Sequence, residues 1–384
     1  MKNILVLIIS IFTLSINAQD ITNKLGGNTA NETYDVTDSN DNLLFRVQGD
    51  NGVLFNGIFG TGTIPATGAG TRMMWYPAKS AFRVGYINST QWDDTNIGYH
   101  SIATGFNTTA SGNYSTAMGS ETTASGSHST AMGIITTASG SYSTAMGVST
   151  TASGYISTAM GINTTASGYI STAMGYYTTA SGDYSTAMGR GTIASGYYST
   201  AMGNYVSTSG HEGSFIIGDN SGSTSDITTS SADNEMTMIF TGGYRLFTND
   251  NANLGVSLAG GANSWGTISD STKKENYLQA DGEYFLNSIN KLKLGSWNYK
   301  SQNAKDFRHY GPMAQEIYHY FGKDDYGTIG NDTTLATADM DGIMMIALQA
   351  LEKRTSDLKD KNDELKEEIV ALKSIITEIL MIKD

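Results

Sequence analysis

The pattern of apolar and polar positions divides the 384-residue chain into three kinds of segment. An apolar run over residues 4–16 opens the chain, a repeat rich in Gly, Ala, Ser and Thr fills its middle, and leucines and isoleucines at heptad spacing end it. In that order, these patterns predict an export signal, a β-structure of small residues and a long α-helix. The predicted fold class is mainly β, followed by an α+β domain that ends in a coiled coil.

The repeat lies within residues 103–203 and has a period of 14 residues. Its consensus is Ser-Thr-Ala-Met-Gly-x-x-Thr-Thr-Ala-Ser-Gly, and the two halves of each copy share Thr-Ala-x-Gly. A period of seven also suggests a coiled coil, but each glycine in a helix interior costs about 1 kcal/mol. The repeat therefore predicts a parallel β-roll with one coil for each 14-mer, in which glycine supplies the positive φ of the tight corners.

Alanine stands at a fixed place in each half of the repeat, and we expect it to point into the roll, where only a small side chain fits. Residues 97–203 contain three charged residues, Glu121, Asp183 and Arg190. A thin coil with an alanine interior buries little apolar area for each residue. We therefore expect its stability to depend on stacking along the axis and on association of several chains.

These repeats resemble the head repeat of trimeric autotransporter adhesins (YadA-like), over residues 96–209. The resemblance implies left-handed parallel β-rolls in which three chains assemble into a fibre. It therefore implies a homotrimer, with the chain itself as partner.

The segments on either side of the repeat are also β in character. Residues 19–95 predict a β-rich N-terminal region and residues 210–268 a β-rich neck, with a loop over residues 219–233. Two pairs of apolar runs around glycine-containing turns predict hairpins. The pairs are residues 43–47 with 53–55, and residues 236–240 with 244–247.

The C-terminal third of the chain has a different composition. Residues 269–384 contain 35 charged residues in 116, against three in the 107 residues of 97–203. This change predicts a domain boundary within residues 265–270. Residues 269–347 form one predicted domain, and residues 348–384 form a C-terminal coiled coil.

The coiled coil is predicted from apolar residues at heptad spacing over about 32 residues, which is roughly 48 Å of helix. They are Leu348, Ile369 and Ile376 at the a position, and Leu351, Leu358, Leu365, Leu372 and Ile379 at the d position. Leu at d with Ile at a favours two strands, and polar Thr355 and Asn362 at a fix the register. The alternative is an amphipathic helix that folds onto its own domain.

The octet that begins at Ser269 carries candidate chemistry. Ser269 and Lys274 are five residues apart and can approach one point where the chain turns. A neutral lysine can take the proton of a serine nucleophile, and a neighbouring cation such as Lys273 favours the neutral form. The alternative is a helix start in which Thr272 and Glu275 form a capping box.

Five blocks in this third of the chain resemble the self-cleaving intramolecular chaperone domain of endosialidases and phage tail spikes, which also occurs in bacterial fibre proteins. The blocks are residues 269–276, 292–299, 308–316, 339–343 and 347–351. The resemblance implies a domain that trimerises, templates the fibre and then cuts itself off. It implies that Ser269 attacks the carbonyl of Ile268 and that Lys274 is the general base. His309 is a further candidate for the proton transfers, with a packed or solvated residue as the alternative.

Composition and the N-terminus limit the partners and the location. Residues 1–18 predict an export signal, with a retained signal anchor as the alternative, and hence a secreted or cell-surface protein. The net charge of −13 argues against nucleic acid and anionic membranes, and the absence of cysteine excludes disulfides and thiolate metal sites. No cofactor or metal is predicted. A surface glycan or a host or cell-surface receptor is a further candidate partner.

Two other functions stay open. A secreted glycan-active enzyme needs paired carboxylates, but Glu121 and Asp183 lie about four coils apart, which leaves Trp92, Asp93 and Asp94 as candidates. A non-cleaving structural or surface-binding β-solenoid would instead use a repeated side chain to bind polysaccharide or ice. The candidate ladder is Thr116, Thr130, Thr144 and their successors. A second column is Tyr114, Tyr142, Tyr184 and Tyr198, interrupted by His128, Ile156 and Ile170, and it favours packing over a sugar platform.

Overall fold

The computed structural model describes residues 33–48, 52–219 and 227–382. The predicted export signal, residues 1–18, lies outside them. The chain divides into two compact units between Gly242 and Gly243. The segment predicted as a neck therefore contributes to both units.

The first unit begins with two small antiparallel elements. Its first strands are β1 (Thr33–Thr37), β2 (Leu43–Gln48), β3 (Gly52–Phe55), β4 (Gly70–Tyr76) and β5 (Ala81–Ile87). β1, β2 and β3 form a sheet of their own, in which Phe45 pairs with Phe55. The hairpin predicted from residues 43–47 and 53–55 is therefore confirmed. Short 3-10 helices lie at Pro77–Lys79 and Asp94–Asn96.

The repeat folds into a parallel β-solenoid of about eight turns over residues 102–219, as predicted. Each coil contains one long and one short strand, and like strands stack in register, so that Thr144 lies between Thr130 and Thr158. The strands are β6 (Ile102–Phe106), β7 (Thr109–Ala110), β8 (Thr116–Ser120), β9 (Thr123–Ala124), β10 (Thr130–Ile134), β11 (Thr137–Ala138), β12 (Thr144–Val148), β13 (Thr151–Ala152), β14 (Thr158–Ile162), β15 (Thr165–Ala166), β16 (Thr172–Tyr176), β17 (Thr179–Ala180), β18 (Thr186–Arg190), β19 (Ile193–Ala194), β20 (Thr200–Asn204), β21 (Val206–Ser207), β22 (Phe215–Asp219), β23 (Thr228–Thr229) and β24 (Met236–Phe240).

Parallel pairing continues beyond the predicted end of the repeat. β24 pairs with β22, and the next strand, β25 (Gly243–Phe247), pairs with a later part of the chain. The second predicted hairpin, residues 236–240 with 244–247, is therefore wrong. The last coil leaves an unpaired strand edge, and β24 satisfies its hydrogen bonds better than a local hairpin would. β23 lies within the predicted loop, residues 219–233, of which residues 220–226 lie outside the described residues.

Alanine fills the interior of the roll, as predicted. One alanine in each half of the repeat, such as Ala145 and Ala152, is fully buried. Serine and threonine complete the interior, and the Ser115 hydroxyl donates a 2.6 Å hydrogen bond to the carbonyl of Gly112. A core of such small side chains gains little from burial in each coil.

Glycine allows close backbone contact between coils and, contrary to the prediction, does not supply the positive φ of most corners. Most corners are formed by other residues with positive φ, such as Tyr142 at 59° and Ser149 at 53°. Gly147 instead lies within a strand, where an added Cβ would be 2.0 Å from the carbonyl oxygen of Gly161. The prediction that glycine supplies the positive φ of the corners is therefore wrong. What requires glycine is the close approach of stacked backbones.

Arg83 closes the N-terminal end of the roll interior. β5 pairs in parallel with β6, which places Arg83 beside Ala103 at an interior position. The buried guanidinium donates hydrogen bonds of 2.8–3.0 Å to the carbonyls of Phe82, Ser101 and Ala110, and to the Ser101 hydroxyl. Burial lowers the pKa of Arg83 to about 10. Arg83 thus adds charged donors at the end of the roll, where the carbonyls of Ser101 and Ala110 also accept backbone hydrogen bonds.

Replacing Arg83 with alanine should lower the free energy of unfolding by about 3 kcal/mol, because buried carbonyls lose charged donors and a cavity remains. Arg190→Ala removes an exposed arginine of the same roll and should cost less than about 1 kcal/mol. Thermal unfolding followed by circular dichroism compares the two variants. Equal losses would contradict the end-cap role of Arg83.

The second unit combines small sheets with three helices. Its elements are β25, β26 (Gly255–Ala259), β27 (Gly266–Thr267), a 3-10 turn (Ser271–Lys273), α1 (Gly282–Ile289), β28 (Gly295–Trp297), β29 (His309–Gly311), α2 (Ala314–Phe321) and α3 (Thr337–Ile382). β25, β26 and β27 form an antiparallel sheet, and β28 pairs with β29. Asp281 caps α1 by accepting hydrogen bonds from the N–H groups of Glu283 and Tyr284.

The core of this unit is small in a single chain. Helix α1 packs on α3, and Glu283 of α1 forms an ion pair with Arg354 of α3. The Phe285 ring of α1 also lies 5.0 Å from the Phe321 ring of α2. Among the described residues of the unit, the buried ones are Ser288, Phe321, Gly322, Ile343 and Ala347. So few buried groups favour completion of the core by other chains.

Helix α3 carries the heptads on an exposed face. Ile343 and Ala347, in its first turns, are buried, whereas the heptad residues from Leu348 to Ile379 are 46–65% exposed. The alternative of a helix folded onto its own domain therefore applies to the first turns of α3 and not to the heptads that follow.

Candidate active site

Ser269 and Lys274 meet in the structure, as their spacing predicts. The Lys274 Nζ donates a 2.7 Å hydrogen bond to the Ser269 Oγ. Both residues are exposed in the single chain. The pair has the distance that proton transfer from a serine nucleophile to a lysine base requires.

A short 3-10 turn, Ser271–Lys273, brings the two side chains together. The Asp270 carboxylate accepts hydrogen bonds from the Thr272 N–H at 2.9 Å and from the Thr272 hydroxyl at 2.8 Å. The first of these bonds is the largest cause that lowers the pKa of Asp270, and the charge of Lys273 adds to it. The alternative capping box of Thr272 and Glu275 is wrong, because Asp270 is the residue that caps the turn.

Asp270 caps the turn between Ser269 and Lys274, and the sequence analysis did not single it out. Its signal was nonetheless available, since aspartate is among the preferred residues directly before a helical turn. Its hydrogen bonds to Thr272 hold the turn that separates Ser269 from Lys274.

The predicted scissile bond lies at the end of a strand. β27 pairs with β26 through Thr267 and Val256 and ends directly before Ile268. Ile268 is 37% exposed. The sheet therefore holds the chain on one side of the bond, and the Asp270 turn holds it on the other.

His309 packs among aromatic residues of the small sheet. Its ring lies 4.8 Å from the Trp297 ring and 5.5 Å from that of Tyr299, and its Nε2 lies 3.1 Å from the Oε1 of Gln302. These contacts favour the packed alternative. A role of His309 in proton transfer stays a prediction.

The carboxylates considered for a glycan-active enzyme serve the fold in this structure. Asp93 accepts a 2.7 Å hydrogen bond from the N–H of Gly68, and Asp94 lies 3.0 Å from the Lys79 Nζ. Trp92 is fully buried and donates to the carbonyl of Thr108. These contacts favour structural roles for the three candidates.

The threonine ladder is present as predicted. Thr116, Thr130 and Thr144 stack in register, and the next outward position of each strand is methionine, as in Met146. The resulting face carries a threonine column beside a methionine column. Binding of polysaccharide or ice by this ladder stays a prediction.

The aromatic column at one corner of the roll is continuous, contrary to the sequence interpretation. The rings of Tyr114, His128 and Tyr142 stack at 4.6 and 4.8 Å with planes 15° and 11° apart. Where Ile156 takes the corner position, the preceding Tyr155 supplies a ring 5.6 Å from Tyr142. The stacked ring faces cover one another, which favours packing over a sugar platform.

Four stretches of the roll match the family model for the YadA head domain repeat: residues 97–122, 124–150, 152–178 and 180–205. The model for the chaperone of endosialidase matches residues 269–324. Both resemblances drawn from the sequence are thereby confirmed, in the predicted order. No curated protein matches the chain.

The chaperone match begins at Ser269 and includes Lys274, His309 and α2. YadA head repeats followed by this chaperone fit a trimeric fibre or adhesin, and both families imply a homotrimer. The YadA-like repeats suggest a surface or secreted protein.

Within the described ranges, no helix is long and apolar enough to cross a membrane. Nor do His, Asp and Glu side chains in these ranges cluster into a group that could hold a metal ion.

Proposed function

We propose that this chain is the subunit of an exported homotrimeric fibre or adhesin, and that its C-terminal unit aligns three chains and then cuts the bond between Ile268 and Ser269. The observation that carries the proposal is the 2.7 Å contact between Lys274 Nζ and Ser269 Oγ, at the first residue of the chaperone match. The YadA head repeats supply the fibre.

The outer face of the long strands supports association between copies. It presents the threonine and methionine columns, neither of which contains a charged residue. Such a face, continued from coil to coil, suits burial against other copies of the chain. Because the coils are nearly identical, chains can also pair one repeat out of register. A C-terminal unit that holds three chains together would remove this ambiguity.

The cleavage needs no group beyond the chain and water. A neutral Lys274 amine takes the proton of Ser269, and the Oγ attacks the carbonyl carbon of Ile268. The bond from this carbon to the Ser269 nitrogen breaks, and Lys274 returns the proton to that nitrogen. Water then hydrolyses the ester between Ile268 and the Ser269 Oγ. The products are a carboxylate at Ile268 and a new N-terminus at Ser269.

The exposure of the pair explains why cleavage would follow assembly. A lysine amine acts as a base only in its neutral form, which burial favours. In the single chain, residues 261–279 are exposed, including Ser269 and Lys274. We expect association of three chains to cover this segment and thereby to activate the pair. Loss of the template then makes the assembly hard to reverse.

Intact-mass measurement of the purified wild-type chain tests the proposal. We expect two pieces, the smaller of which begins at Ser269, and a cleaved fraction that rises with chain concentration during refolding. A wild-type trimer that stays full-length would refute the cleavage and leave the chaperone role. Cleavage at one rate at every concentration would refute its dependence on assembly.

A further inference from the structure

The last two turns of α3 differ in pattern from the rest of the coiled coil. From residue 352 to residue 373, the e and g positions that flank the a and d residues are all charged. In residues 375–382, isoleucine stands at both a and d (Ile376 and Ile379), and the flanking g and e positions are also apolar. The flanking residues are Ile375 and Ile382 at g and Leu380 at e. All five side chains are exposed in the single chain.

This pattern favours more than two strands. Isoleucine at both a and d shifts parallel coiled coils toward three or four strands, whereas isoleucine at a with leucine at d, as in Ile369 and Leu372, favours two. Apolar g and e side chains have the same effect, because a two-stranded coil leaves much of their surface in water. The end of the helix therefore opposes the two-strand preference of the preceding heptad.

The middle of the coil contributes little to association. Its a positions are the polar residues Thr355 and Asn362. In a parallel coil, each g residue faces the e residue five positions later in the next chain. Arg354 would then face Lys359, and Lys361 would face Lys366, and such like-charge pairs weaken association.

We infer that residues 375–382 select the number of chains and hold them together, and that two further copies of this chain occupy the apolar surface. The inference rests on the homotrimer of the proposed function and locates its specificity in one segment. The surface continues the heptad face of α3, which argues for copies of the same helix as its occupants.

Sedimentation of the full chain with Ser269→Ala, which keeps the coil attached, tests the inference. The parent should have the mass of three chains. The tip variant adds Ile375→Glu, Ile379→Leu and Leu380→Lys to this parent. Residues 375–382 then have leucine at d and an attractive g–e pair, as in the preceding heptad. We expect the mass to fall to two chains or one. The milder Ile379→Leu alone should give a mixture of two-chain and three-chain species.

The matched control changes two apolar residues on the outer side of the same helix. Val370 and Met381, at b and f, are 67% and 73% exposed, and Val370→Glu with Met381→Lys should leave three chains. Three chains in the tip variant, or equal loss in the control, would overturn the inference and leave the trimer in place. A parent that is not a trimer would overturn the proposed function itself.

Discussion

Replacing Lys274 with alanine should leave the bond between Ile268 and Ser269 uncut, as should Ser269→Ala. Without Oγ there is no nucleophile, and without Nζ nothing takes its proton at the 2.7 Å contact. We expect the cleaved fraction after a fixed time to fall by at least about 100-fold in each variant. Intact mass of the purified chains measures this fraction directly.

Two lysine variants separate general-base chemistry from charge and position. Lys274→Arg keeps the positive charge and hydrogen-bond donors, but a guanidinium does not lose its proton, so this variant should also stay uncut. Lys273→Ala removes the adjacent lysine and leaves both partners of the hydrogen bond between Lys274 Nζ and Ser269 Oγ, so it should retain most of the cleavage. Efficient cleavage with arginine at position 274 would rule out Lys274 as the general base.

Gly147→Ala should strongly destabilise the roll, with a loss of about 4 kcal/mol or more in the free energy of unfolding. Its φ of +122° strains an L residue, and the new Cβ would lie 2.0 Å from a backbone oxygen of the next coil. The strands on both sides pair with this strand in register, so the coils must separate to admit the methyl group. Thermal unfolding of the chain kept intact by Ser269→Ala measures the loss.

Three further glycines separate the two causes. Gly140 has the close contact, 1.9 Å, without a positive φ, and Gly210 has a φ of +84° with open space around its Cβ position. Gly242 has neither feature. We expect a large loss for Gly140→Ala, about 1 kcal/mol for Gly210→Ala and less than about 0.5 kcal/mol for Gly242→Ala. Equal stability of Gly140→Ala and Gly242→Ala would show that the coils do not stack this closely.

Repetition made the roll predictable from the sequence. An alanine every seven residues between glycines has one simple solution, in which each alanine takes the same interior place in successive coils. Ala145 and Ala152 are buried as this requires. The register of the strands follows from the same repetition, because equal coils stack with equal residues side by side.

The candidate site was predictable only in part. The spacing of Ser269 and Lys274 allows contact at a turn, and the structure realises it. The spacing could not reveal that Asp270 closes the turn, since Thr272 and Glu275 offer a competing cap of similar strength. It also could not show that the pair is exposed, because exposure depends on segments distant along the chain.

The amino-acid sequence by itself determined the 14-residue coil, the alanine interior, the order of the two matched segments and the candidate pair, since each depends on spacing along one stretch of chain. The tertiary structure alone decided where the roll ends, with Arg83 at one end and β24 at the other. It also decided that glycine serves the contact between coils and that the heptads of α3 face solvent. These features depend on how closely separate backbones approach, a distance that no local spacing fixes.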